Sequence, residues 1–179
     1  MGLEIECTLP GGIISSWSYN AENNPVIIMY TEIEQQTLDI DWFFTDENHI
    51  CFVASGAGKL PEKVAKSSEN NEKLISYFRG LPEISDIVIN PELDSLLVKI
   101  FGSGADERYL QDFVSMTKKG LYSFDKTNLN NFLDYDYHLV ASPMKPLTLE
   151  DLPQNILDIL IEIKYPNNIN GVIDISKIN

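Results

Sequence analysis

Between Asp39 and Ala54 the chain reads DIDWFFTDENHICFVA, two apolar runs of strand length joined by a polar bridge. Asp39, Asp41 and Phe43 share one parity, and Ile40, Trp42 and Phe44 share the other. Side chains alternate faces along a strand, so this spacing sends Ile40, Trp42 and Phe44 into a core and turns both aspartates and Phe43 outward. Thr45-Asp46-Glu47-Asn48 supplies the turn and His49–Ala54 the return strand. Ser55-Gly56-Ala57-Gly58 then breaks it, because glycine admits backbone angles that other residues avoid. A lone hairpin is marginal in water, so the rest of the chain must supply further strands and a cover.

The flanking pattern supplies both. Upstream, Val26–Tyr30 is an apolar run that Glu32-Ile33-Glu34 extends by alternation, and pairing it with Leu38–Phe44 around Gln35-Gln36 brings Glu32 and Glu34 near Asp39 and Asp41. Before it, residues 10–12 read as a turn and residues 13–19 as a short extended piece. Downstream, Ser67 or Ser68 caps a helix whose Leu74, Ile75, Tyr77, Phe78 and Leu81 carry the three-and-four spacing. Ile84–Ile89 and Leu93–Phe101 read as strands around Asn90-Pro91. A second helix is expected from Glu107 to about Lys119, with Asp106 as its cap and Tyr109, Leu110, Phe113, Val114 and Met116 inward. Strands follow at Leu121–Phe124 and Tyr137–Ala141. A third helix starts near Leu149 or Pro153 and buries Ile156, Leu157, Leu160 and Ile161, and an edge strand is expected at Val172–Ile175. The sum is a single α+β domain over residues 1–179, a largely antiparallel sheet of about six strands with two to three helices packed on it.

Charge narrows the function. The chain carries 27 acidic and 13 basic residues, a formal charge of −14, and residues 1–58 hold nine acids with no lysine or arginine. Nucleic acid and anionic membranes are repelled by such a field, while a basic partner is attracted. No apolar run approaches the length of a membrane span, and the acidic start MGLEIECTLP lacks the character of a signal peptide. With only Cys7 and Cys51, the second in an apolar strand, a reduced thiol and a cytoplasmic setting are expected.

The chemical motifs fall short. Gly102-Ser103-Gly104 precedes a helix as phosphate loops do, but a third glycine is missing and Asp106 and Glu107 occupy the anion position. Gly56-Ala57-Gly58-Lys59 lacks the following Ser or Thr. His49 and His138 stand alone, without a second ligand at metal spacing. The pairs Asp39/Asp41 and Asp134/Asp136 suit acid–base work in principle, but carboxylates are abundant throughout. No catalytic residue, metal or cofactor is therefore assigned. The expectation is a non-enzymatic binder presenting Glu32, Glu34, Asp39, Asp41, Asp46 and Glu47, with Phe43 as an apolar anchor. The alternative is an enzyme or small-ligand protein with an acid-lined cleft, marked by two carboxylates in one pocket or a perturbed His138.

Several runs also carry a family resemblance. Asp41-Trp42-Phe43-Phe44-Thr45-Asp46, Phe52-Val53-Ala54-Ser55-Gly56, Gly58 and Leu60-Pro61 are followed by Lys119–Asp125, Tyr137–Ala141, Pro143, Pro146-Leu147 and Leu152-Pro153. Over residues 41–153 this pattern resembles immunity proteins of bacterial polymorphic toxin systems. The resemblance implies a cytoplasmic protein that binds and blocks a basic, nuclease-like toxin domain. It brings no catalytic residues.

Overall fold

The computed structural model describes residues 29–129 and 131–178. The expected turn at 10–12, the extended piece at 13–19 and most of the run at 26–30 lie outside them. The hairpin forms as its alternation requires. Strand β1 (Asp41–Thr45) pairs antiparallel with β2 (Ile50–Ala54), with Phe43 opposite Phe52. Asp46 holds the turn, accepting from the backbone N–H of Asn48 at 3.0 Å and of His49 at 2.8 Å.

The segment before β1 corrects the expected strand pairing. Residues Glu32–Thr37 form helix α1, not a strand. Thr31 and Glu34 make a reciprocal capping box, the Thr31 hydroxyl accepting from the Glu34 N–H and the Glu34 carboxylate accepting from the Thr31 N–H. Two otherwise orphaned donors are thereby satisfied, which outweighs a strand alternation resting on one apolar residue, Ile33.

After a short helix α2 (Glu62–Ala65), α3 (Ser68–Gly80) starts at the Ser67 cap and buries Asn71, Leu74 and Phe78 along one stripe. Strand β3 is confined to Ile87–Ile89, and the expected strand at 93–101 is instead helix α4 (Leu93–Phe101). Leu93 and Leu97, one helical turn apart, are its buried positions, and Gly102 closes it in the left-handed conformation. Helix α5 (Glu107–Lys118) begins at Asp106, whose side chain accepts from the Tyr109 N–H. Strands β4 (Tyr122–Lys126) and β5 (Asp136–Pro143), helix α6 (Gln154–Leu160) and strand β6 (Val172–Asp174) complete the described elements. Ile161, expected inside, lies past the end of α6 and is 45% exposed.

The fold is α+β, with six α-helices among the described residues where two to three were expected. The sheet runs β1-β2-β4-β5-β3, with β6 on the same flank of β5 as β3. Among the described strands every pairing is antiparallel except β2–β4, which is parallel and spans the α2–α5 crossover; a single parallel bridge also joins Thr45 to Lys164. Both faces are covered. On one, Trp42 and Phe44 meet Tyr137, Phe124 and Tyr165. On the other, Phe43 stacks 4.6 Å from Phe78 of α3, and Phe52 lies 6.1 Å from Phe113 of α5. Phe43 is therefore fully buried, and the expectation of an exposed anchor is overturned: the face it shares with the aspartates is roofed by helices.

Candidate functional site

Strand register places the site. Asp41 on β1 lies opposite Ala54 on β2, Ala54 beside Asp125 on β4, and Asp125 opposite His138 on β5. One row across four strands thus carries two carboxyls and an imidazole on the face that α3 and α5 cover. At Ala54 the row has almost no side chain. A cavity of about 480 Å³ opens there, lined by Asp39, Asp41, Gly56, Tyr109, Asp112, Phe113, Asp125 and Leu129 among others.

Four carboxylates wall this cleft, and each is held differently. Asp39 accepts from the Gly56 N–H at 2.8 Å, tying the entry to β1 to the glycine turn after β2. Asp41 and Asp112 grip Arg79, which projects from the last turn of α3. Its Nε donates to Asp41 Oδ2 at 2.8 Å, its Nη1 and Nη2 donate to the two Asp112 oxygens at 2.9 Å, and Nη2 also reaches Asp41. The guanidinium lies 5.9 Å from the Phe52 ring centre, within cation–π range. Burial raises the Asp41 pKa even against this partner, and the hydrogen bonds to Asp112 lead the rise in that of Arg79.

Asp125 is the buried member. Its Oδ1 accepts from the Lys126 N–H at 2.8 Å and its Oδ2 from the Tyr109 hydroxyl at 2.9 Å. Burial pushes its pKa up to about 6 despite both donors, with the Asp39 charge adding to the rise. Behind Tyr109 stands His138, 1% exposed, with Nε2 3.3 Å from the phenol oxygen and Nδ1 3.3 Å from Thr127 Oγ1. Burial lowers its pKa to about 4, which keeps the ring neutral near pH 7. Burial likewise raises the Tyr109 phenol, as does the facing Asp125 charge.

The structure divides the acidic residues singled out in the sequence. Asp39 and Asp41 reach the cleft, while Glu32 and Glu34 sit on α1, where Glu34 serves the helix cap and Glu32 accepts from Gln36 Nε2 at 3.3 Å. Asp46 and Glu47 lie at the opposite end of β1, Asp46 beside His49 Nδ1 at 2.9 Å and Glu47 ion-paired to Lys164. The expected single acidic face is thus corrected. Its carboxylates fall in three places, and Asp41 and Glu47 are neutralised by later bases. Asp134 and Asp136 hold the loop into β5, the Asp136 N–H donating to Asp134 Oδ1 at 3.0 Å.

Asp112, Asp125 and Tyr109 line the cleft and Arg79 pairs with two of its carboxylates, none of them expected at a site from the sequence, where Tyr109 figured only as an inward helix residue. The one available sign was Asp125, a carboxylate ending the mostly apolar run LYSFD. Among the described residues no set of three or more His, Cys, Asp or Glu is arranged to hold a metal ion, and no helix is long and apolar enough to cross a membrane. No family model, curated protein or solved structure matches the chain at a significant level.

Proposed function

We propose that this chain is a non-enzymatic binding protein that receives a cationic side chain of a basic partner in the cleft walled by Asp39, Asp41, Asp112 and Asp125. One observation carries the reading: four carboxylates line the cavity against the single guanidinium of Arg79. Apolar walls from Phe113 and Leu129 lower the local dielectric and strengthen attraction for a second cation. The net charge of −14 speeds encounter with basic surfaces over a longer range. An immunity-type inhibitor of a nuclease-like toxin domain, the class that the sequence resembles, fits this chemistry, because a nuclease that grips phosphate presents arginine and lysine.

Specific observations favour a second reading, a small-ligand site or enzyme: both marks expected of it, carboxylates gathered in one pocket and a perturbed His138, are present. Asp125 is a buried carboxyl titrating near pH 6 beside a phenol, the environment in which acid–base groups are found. Calorimetric titration with an arginine-rich peptide and, separately, with spermidine distinguishes the two. The first reading expects the peptide to bind, more weakly as salt rises, with an Asp39→Asn/Asp112→Asn variant losing at least about tenfold in affinity. A Glu32→Gln/Glu47→Gln control changes it less than about twofold. Preference for spermidine transfers support to the small-ligand reading. If neither probe binds, or if the control pair weakens binding as much as the cleft pair, the cleft is not the docking site.

A further inference from the structure

Thr127, His138, Tyr109 and Asp125 form an unbroken chain of polar atoms, Oγ1 to Nδ1 at 3.3 Å, Nε2 to Oη at 3.3 Å and Oη to Oδ2 at 2.9 Å. Three of these groups both donate and accept, so the chain has two consistent directions. With Asp125 ionised, its Oδ2 only accepts. Tyr109 must donate to it, the Tyr109 oxygen is then free to accept from an Nε2–H of His138, and Nδ1 accepts from Thr127. With a proton on Asp125 everything turns round. That proton belongs on Oδ2, because Oδ1 already accepts the Lys126 N–H. Oδ2–H then donates to Tyr109, Tyr109 donates to an unprotonated Nε2, and the ring proton sits on Nδ1 and is donated to Thr127.

We infer that these four residues are a two-direction proton relay in which the ionisation of Asp125 in the cleft sets the tautomer of the buried His138. One proton enters from water at the half-buried Thr127: the Thr127 hydroxyl gives its own proton to Nδ1, the Nε2 proton passes to the Tyr109 oxygen, and Tyr109 hands its former proton to Asp125 Oδ2, so the imidazole is neutral in both states. Asp39 before β1 and Lys126 on β4 bias the ionisation of Asp125, Tyr137 on β5 feels its charge, and Asp41 on β1 and Asp112 on α5, both paired to Arg79 of α3, stand around the same cleft. The burial of Asp125 and His138 places the exchange near neutral pH and keeps the ring from simply taking a second proton. Resting on the cation-binding reading, the relay also regulates that site: a cationic occupant selects the ionised state, and protonation of Asp125 weakens its hold.

Nitrogen-15 spectra of the two imidazoles, recorded on the free protein from pH 8 to pH 5, test the relay without any ligand. His49, the only other histidine, is the internal reference. His138 is expected to carry its proton on Nε2 at high pH and on Nδ1 at low pH, with a midpoint near 6. Asp125→Asn, whose amide donates where the protonated acid would, holds the Nδ1–H form at every pH. Tyr109→Phe removes the dependence on pH. An unchanging His138 tautomer in the wild type, or a transition that survives in Tyr109→Phe, overturns the relay; if Asp125→Asn does not fold, those two spectra still decide. Peptide affinity, measured separately, should fall about tenfold from pH 7 to pH 5. Absence of peptide binding would remove the functional reading and leave the relay standing.

Discussion

At the scale of the residue, Gly120 shows how little freedom the core allows. It follows α5 with φ at +93°, and a Cβ built there would lie 2.5 Å from the backbone nitrogen of Leu147. The same Gly120 offers its carbonyl to the Leu147 N–H at 2.9 Å, so neither strand of chain can retreat without breaking that bond. Gly120→Ala is expected to cost roughly 2–4 kcal/mol, from a positive φ imposed on alanine and a collision with backbone. Chemical denaturation reads this as a lowered midpoint with an unchanged slope.

At the scale of the element, the hairpin and the chemistry that surrounds it differ in how far they could be foreseen. Alternation in 41–44 and the polar bridge at 45–49 are local signals, and β1, the turn and β2 follow from them. So does α5, announced by the Asp106 cap and its apolar stripe. Helix α1 was also written locally, in the Thr31-x-x-Glu34 capping box, but a single isoleucine between two glutamates mimics strand alternation. Helix α4 was hidden because its short apolar set, Leu93, Leu96, Leu97, Val98, Ile100 and Phe101, broken by Asp94, Ser95 and Lys99, suits a strand and a helix alike. The cleft was not legible in this way. Asp41 and Asp125 meet only because β2 and β4 pair in parallel, and no local pattern reports a register set over about seventy residues. The same long-range roof explains Phe43, which parity alone turns outward. Phe43→Ala should cost about 3–5 kcal/mol by leaving a void beneath Phe78, where an exposed anchor would cost stability almost nothing. Thermal and denaturant unfolding of that variant measure the difference.

At the scale of the whole molecule, the two buried titrating groups oppose one another. Asp125 has a folded pKa of about 6, above the unfolded carboxyl, so its contribution to stability is full below about pH 4 and is lost as pH rises through 6. His138 has a folded pKa of about 4, below the unfolded imidazole, so its contribution is full above about pH 6.5 and is lost as pH falls through 4. Each amounts to about 3 kcal/mol across the same interval, and in the wild type they largely cancel. Removing one exposes the other. Asp125→Asn should lose stability relative to wild type between pH 6.5 and pH 4, and His138→Gln should gain over that range. Urea midpoints measured across pH, taken as differences from wild type, check both signs.

The parallel pairing of β2 with β4 also has a temporal side. A ribosome delivers Ile50–Ala54 long before Tyr122–Lys126, so the nascent hairpin waits with one flank of backbone unclaimed while α2 through α5 are made. Until the later strand docks, Asp125 has no place beside Ala54, and a growing chain is without its cleft. Synthesis that stops short of residue 126 leaves the sticky half of a sheet with nothing to adhere to but another unfinished copy.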